Sequence, residues 1–430
     1  MAVAVAIPPL ALASSVGRVL SLSGRASQVR GVHSVTVPCR SNGAIRLSIL
    51  PSPSASASAS ASAPAPAPAP ASSPILLYLP AGPLLADHAR PDHDAQTVAA
   101  LSAASGATVV CINYRLAEAH RFPTPVHDVL TAWDWVLHNL VESDNSARLG
   151  VCGELLGANL ATTLALTECH DHGPAIAAAA VNNPLVDWIL PPDLLRSDDD
   201  DDDDGNNDES DDGFLEQLQD IAGVSLAPGR RRRKQHRRPS WDAHGDNPAL
   251  PAAAVTRARA AFFHDQDGYF DPFASPIHFL RTPGLAFTAL PKSDDAFASD
   301  WDEEPPTQPP STASPYHGLR ATVEPRRRSY RAYPPTAAGL RLPVMSVSAG
   351  EASPLRDQAE ELVRLVQHSV KLDSGGSRDE ALNRCALMLR PGVGHWTGAH
   401  RAPDWRREVE ALGAWFREVL AKDDDKQLKQ

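Results

Sequence analysis

The chain reads as an α/β protein, with a mostly parallel central sheet, helices on both faces and a disordered, charged insert. Three observations predict this. Short continuous apolar runs of strand length recur, such as Ile75-Leu-Leu-Tyr-Leu79 and Ala107-Thr-Val-Val-Cys-Ile-Asn113. Segments with apolar residues at helical spacing alternate with them, the pattern of parallel strands joined by crossover helices. The length, 430 residues with 43% apolar, suffices for one large α/β domain.

The elements follow in order. Residues 1–30 read as a disordered N-terminus or a leader. Arg18, Arg25 and Arg30 lie among serines, and no acidic residue occurs before Asp87, a composition that suits a mitochondrial presequence. Ala11-Leu-Ala13 resembles a signal-peptidase site, but Pro8-Pro9 interrupts the apolar stretch and no basic residue precedes it. The reading adopted is a plain disordered terminus on a cytoplasmic protein, with a mitochondrial location as the alternative. Val32–Cys39 and Ala44–Leu50 alternate in polarity around Ser41-Asn-Gly43, which predicts a hairpin. The Ser-Ala and Ala-Pro repeat at 51–74 reads as an extended linker.

Ile75–Leu79 and Ala107–Asn113 predict buried strands flanking a helix over Asp94–Ser105. Val126–Val141 carries Val129, Leu130, Trp133, Val136, Leu137 and Leu140 at helical spacing. A strand ending at Gly153, a helix beginning by Asn159 and a strand over Ala177–Asn183 follow. After the insert come a helix over Val255–Phe263, a strand over Leu342–Ser348, a helix over Leu355–Val370, a strand over Cys385–Arg390 and a last helix over Asp404–Leu420. The domain is expected to span 31–421, broken by the 51–74 linker, a charged insert at 196–250 and a Pro-rich insert at 291–335.

The net charge of −12 says little about partners, because residues 198–212 alone hold eleven acidic side chains. Residues 230–238 hold seven basic ones. Arg230–Lys234 could serve as a nuclear localisation signal or nucleic-acid patch, but two opposite charged runs in one solvated loop neutralise each other, and that reading is preferred. No apolar run reaches the length of a membrane span. Five cysteines without a C-x-x-C pair read as reduced, buried thiols of an intracellular protein, not as a disulfide frame or a zinc site. No metal or cofactor is expected, and the oligomeric state is open.

The chemistry-bearing stretch is Leu149–Leu166. Its Gly153-Glu-Leu-Leu-Gly157 has the glycine spacing of a G-x-S-x-G nucleophile elbow, the sharp strand-to-helix turn of α/β-hydrolases. The tip of that turn should be serine and is Leu155.

Further motifs carry a resemblance. Tyr114-Arg-Leu-Ala117 with His120, Phe122, Pro123 and Asp128 looks like the Tyr-Arg-Leu-Ala-Pro-Glu-His-x-Phe-Pro signature of the hormone-sensitive-lipase-like branch of α/β-hydrolases. Gly153–Leu160 is similar to its Gly-Asp-Ser-Ala-Gly-Gly-Asn-Leu, and Asp271–Pro276 to its Asp-Pro-Tyr-Ala-Ser-Pro. Pro354-Leu-Arg-Asp357 matches the segment after its acidic triad member, and Gly392-Val-Gly-His395 its histidine loop. The resemblance implies an α/β-hydrolase fold and, in intact members, a carboxylic-ester hydrolase with a Ser-Asp-His triad and a His-Gly-Gly-Gly oxyanion loop.

Matched onto that pattern, the serine position is Leu155, the aspartate position Ser353, and the oxyanion loop Pro80-Ala-Gly-Pro83. His395 alone is retained. Gly82, Pro83 and Leu156 occupy the oxyanion-donor positions, and a proline there has no N–H to give. A leucine cannot form an acyl-enzyme, and a neutral serine is a poor partner for an imidazolium. Three rescuers are weighed. Glu154 could attack as a carboxylate but sits one residue before the tip. Cys152 lies within the strand. Glu351, two residues before Ser353, could hold His395 if that segment were a strand, although a solvated acid is the preferred reading. The expectation is a pseudoenzyme that binds a small apolar ligand or a partner. The alternatives are an ester hydrolase with a non-standard nucleophile and His395 as base, and an interaction protein acting through its charged insert.

Overall fold

The computed structural model describes residues 31–39, 43–53, 74–82, 91–141, 148–191, 238–283, 329–373, 377–398 and 400–422. The N-terminal 30 residues, most of the linker, the acidic run, the basic run up to 237, the Pro-rich stretch up to 328 and Pro83 lie outside them.

The strands are β1 (His33–Pro38), β2 (Ala44–Leu50), β3 (Ile75–Leu79), β4 (Thr108–Asn113), β5 (Arg148–Glu154), β6 (Ala175–Asn182), β7 (Val344–Gly350) and β8 (Cys385–Arg390). They form one eight-stranded sheet in the order β1-β2-β4-β3-β5-β6-β7-β8. The hairpin pairs antiparallel, with Pro38 opposite Ala44, and β2 pairs antiparallel with β4. The remaining neighbours are parallel.

The helices are α1 (Pro91–Ser105), α2 (Thr124–Asn139), α3 (Leu156–Thr167), α4 (Ser240–His244), α5 (Ala252–Phe262), α6 (Arg356–Asp373), α7 (Arg378–Arg384) and α8 (Trp405–Lys422). Strand alternation divides the core. Leu77, Leu79, Val110, Val151, Val181 and Val347 meet Trp133 and Val136 of α2, Leu160 and Leu164 of α3, and Leu362 and Val366 of α6. Leu76, Tyr78, Val109, Cys111 and Cys152 point to the other face, against Leu101 of α1 and Val409, Leu412 and Phe416 of α8.

Two expectations need correction. The charged insert does not run to residue 250. Ser240–His244 is helical, Trp241 and Leu250 are buried in an apolar cluster, and Ser240 Oγ donates to the Pro354 carbonyl. Composition placed the boundary by charge, but the apolar Trp241 and Leu250 decide where packing resumes. The Pro-rich insert likewise ends before Tyr330, which bridges to Arg281, and Tyr333, whose hydroxyl donates to the Leu166 carbonyl. Helix α3, expected to begin by Asn159, opens at Leu156, where the elbow turns the chain directly into it. Helix α7 went unread, although its signal is in the sequence: Ser377 Oγ accepts the Glu380 N–H, as the Ser-x-x-Glu capping pattern predicts.

Candidate active site

The end of β5 makes a strained turn. Leu155 has φ 53° and ψ −112°, a conformation that side chains other than glycine rarely adopt. The turn closes because Gly153 and Gly157 carry no Cβ. One on Gly153 would collide with the Gly157 carbonyl, and one on Gly157 with the backbone of Leu79 and Pro80. The backbone thus has the geometry of a nucleophile elbow, with a leucine at its tip.

That leucine is fully buried. It belongs to a cluster above the sheet containing Leu156, Trp188, Trp241, Phe262, Phe263 and Val393. The Trp188 and Phe262 rings stack at 5.2 Å, and Phe263 meets both edge-on. Phe122 of the Tyr114–Pro123 motif extends this contact, with its N–H donating to the Phe262 carbonyl at 2.7 Å.

The remaining motif residues build the frame. Tyr114 donates to the Pro80 carbonyl at 2.7 Å and holds the chain just past the end of β3. Gly82, at φ +74°, sits against Leu156: a Cβ there would lie 3.4 Å from that of Leu156 and 2.9 Å from the Tyr114 hydroxyl. Asp128 is fully buried and accepts Arg115 through its N–H at 2.8 Å, Nε at 3.0 Å and Nη2 at 2.7 Å. Asn159 of α3 donates to the carbonyls of Leu185 and Ala274, which fastens the elbow helix to the Asp271–Pro276 turn.

The histidine loop follows β8 through Gly392 and Gly394, both at positive φ. His395 is fully buried, and its Nδ1 lies 3.1 Å from Glu154 Oε1. The same carboxylate accepts Asn182 Nδ2 at 3.1 Å, the Trp396 N–H at 2.8 Å, the Thr397 N–H at 3.2 Å and Thr397 Oγ1 at 2.7 Å. His395 Nε2 is buried without a hydrogen-bond partner among the described residues. Neighbouring groups tighten this frame. Asn182 Nδ2 also donates to the Gly394 carbonyl, Asn183 Nδ2 to the Val393 carbonyl, and Ser348 Oγ to Asn182 Oδ1.

The other candidates fall elsewhere. Ser353 is buried, but its hydroxyl accepts the Leu355 N–H and so caps the turn into α6. Glu351 is exposed and lies just past the end of β7, so the same-face argument, which needs a strand, does not apply. Cys152 faces the α1–α8 side of the sheet, and burial pushes its thiol far above its ordinary range. Glu154 has both oxygens committed to donors. Reading Glu154 only as a nucleophile missed its reach to His395. Asn182 and Thr397 were missed as well. A polar Asn182-Asn183 pair ending an apolar strand was the available signal for the first.

A shallow groove of about 490 Å³ lined by Arg238, Trp241, Asp242, Asp246 and Pro251 shares no residue with the elbow or the histidine loop. Among the described residues no helix is long and apolar enough to cross a membrane.

Residues 87–270 match the family model described as alpha/beta hydrolase fold. A 62-residue stretch, 14% of this chain and 20% of the relative, is 42% identical to ethyl acetate hydrolase of Pseudomonas putida. The chain therefore aligns with only about a fifth of that relative's length. The fold is similar to carboxyl esterase 2 of the mycorrhizal fungus Tuber melanosporum, with a TM-score of 0.52, 15% identity and coverage of 93% of this chain and 89% of that one. It is also similar to a thermostable esterase from Pseudomonas putida, with a TM-score of 0.51, 14% identity and coverage of 92% and 85%. Motifs, elbow backbone, sheet order and the match over residues 87–270 agree on the alpha/beta hydrolase fold, and solved structures to which the chain is similar are carboxylesterases.

Proposed function

We propose that this protein is a non-hydrolytic member of the esterase-type fold, acting by binding a small apolar ligand or a partner. The observation that carries the reading is Leu155. It stands at the elbow tip, fully buried in an apolar cluster, where an esterase presents a hydroxyl to substrate. Loss of the nucleophile alone costs about 10⁶ in turnover in hydrolases of this kind of chemistry. The replacement of the triad aspartate by Ser353 and the proline in the oxyanion loop support the same reading. A substitute nucleophile has little in its favour, because Cys152 is held as a thiol on the far face of the sheet and Glu154 is saturated with donors.

Purified protein is expected to leave p-nitrophenyl acetate and butyrate at the buffer rate and to take no label from a fluorophosphonate. Stoichiometric labelling would falsify the reading. The ligand arm is a thermal-shift series with short-chain esters and fatty acids. A dose-dependent rise in Tm abolished by Phe263→Asp is expected if the aromatic cluster opens to an apolar guest. A flat series leaves partner binding as the function.

A further inference from the structure

We propose that Glu154 is the positioning residue for His395, in place of the missing triad aspartate, so that the chain keeps a correctly held general base behind a leucine. The proposal rests on reading this site as an esterase-type elbow without its nucleophile, and it adds what the rest of the site is ready to do.

The geometry is that of a held base. Nδ1 of His395 faces a carboxylate oxygen at 3.1 Å, and both side chains are fully buried. An ionised carboxylate can only accept, so the imidazole proton belongs on Nδ1 and the lone pair on Nε2. That is the tautomer a general base requires. Nε2 is buried with no partner among the described residues. A buried acceptor left unpaired costs about 1–3 kcal/mol, so the fold tolerates it against a penalty. Glu154 is fixed independently of the histidine by two backbone N–H groups, the Thr397 hydroxyl and the Asn182 amide. A positioning group is effective when its own rotamer is locked in this way.

The tip is equally prepared. Leu155 follows Glu154 directly and keeps the strained elbow backbone. Leu156 opens α3, so its N–H is one of the helix-start donors without an intrahelical acceptor, and Gly82 packs against it. The hydrogen bond described for the Ser353 hydroxyl is with the Leu355 N–H, whereas the carboxylate found against His395 Nδ1 is that of Glu154.

The consequence is that Leu155→Ser restores covalent chemistry. With p-nitrophenyl acetate, the new hydroxyl oxygen attacks the carbonyl carbon while its proton passes to Nε2. The tetrahedral species collapses, the C–O bond to the leaving group breaks, the Nε2 proton passes to the departing p-nitrophenolate or to solvent so that the imidazole is neutral again, and acetyl remains on position 155. Water then attacks that ester, Nε2 takes its proton, and the acetyl–oxygen bond breaks to release acetate as the proton returns to the hydroxyl oxygen.

The test compares wild type, Leu155→Ser, Leu155→Ser/His395→Ala and Leu155→Ser/Glu154→Gln for fluorophosphonate labelling by intact mass and for p-nitrophenyl acetate kinetics. Leu155→Ser is expected to label stoichiometrically and to turn over at least ~10²-fold faster than wild type. Removing His395 is expected to abolish both. Glu154→Gln is expected to lower kcat by about 10²–10⁴ with KM within about threefold, the range set by wrong-tautomer variants of serine hydrolases. A folded Leu155→Ser that stays unlabelled overturns the proposal, as does an unchanged kcat in Leu155→Ser/Glu154→Gln. If the serine variant does not fold, imidazole ¹⁵N–¹H spectra of the unsubstituted protein decide, assigned with His395→Gln. The Nδ1–H tautomer is expected, with a downfield proton perturbed by Glu154→Gln and untouched by Glu351→Gln. An Nε2–H tautomer overturns the proposal. Turnover by wild type itself would count against the non-hydrolytic reading and not against the role of Glu154.

Discussion

Leu155 sits under two opposed demands. Burying a leucine side chain is worth about 1.5–3 kcal/mol, while a backbone in a sparsely populated region costs about 1–3 kcal/mol. Leu155→Ala is therefore expected to lower unfolding free energy by about 2–5 kcal/mol. Leu155→Gly, which relieves the strain, should cost less than the alanine variant, the reverse of the order at an ordinary position; urea denaturation of the pair decides. Arg115→Ala tests the second residue-scale feature. It strands the buried Asp128 carboxylate and is expected to cost about 3–5 kcal/mol by the same measurement. The leucine at the tip of the turn was legible in the sequence, because Gly153 and Gly157 flank it at the elbow spacing, whereas the matching of Ser353 to a triad acid rests on the proposed reading. The role of Glu154 was not legible. Its partners Asn182 and Thr397 lie in other elements, and which carboxylate reaches a histidine depends on side-chain length and loop path, not on spacing.

At the scale of elements, every strand of the described sheet was foreshadowed by an apolar or alternating run. The ends were harder to read. Elbow geometry, not propensity, starts α3, and packing of Trp241 and Leu250, not charge, ends the insert. Helix α1 supplies a pH-dependent contribution. Asp94 accepts the Tyr78 hydroxyl at 2.9 Å, and burial, with a further push from the Glu154 charge against a pull from that hydroxyl, raises its carboxyl from 3.8 to about 6. The folded chain then holds a proton that the unfolded chain releases between these values. Stability falls as pH rises through this window, and the penalty is fully present above about 6. Asp94→Asn keeps the acceptor and removes the charge. Because the side chain is only half-buried and partly screened, the variant should gain about 1–2 kcal/mol over wild type at pH 8 relative to pH 4. Equal differences at both pH values would refute it.

For the whole molecule, the segment from Ser240 to Phe263 caps the elbow. Ser240 is tied to the start of α6 through Pro354 and Asp357, and Asn247 donates to the Ala352 carbonyl. Trp241 is its apolar anchor in the cluster around Leu155. Trp241→Ala is expected to cost about 3–5 kcal/mol and to lower Tm by several degrees in calorimetry. A Tm equal to wild type would mean that the cap is not coupled to the elbow.

The Glu154–His395 contact also joins residues 241 positions apart along the chain. Closing a free loop of that length costs on the order of 5 kcal/mol in chain entropy. Local propensity cannot meet that cost: β5, β6, β7 and β8 must already lie side by side before the histidine loop can fall onto the carboxylate. The contact is therefore a reporter of completed assembly. In a refolding experiment its imidazole signal should appear last, after the secondary structure has formed and together with full protection of the central strands from hydrogen exchange.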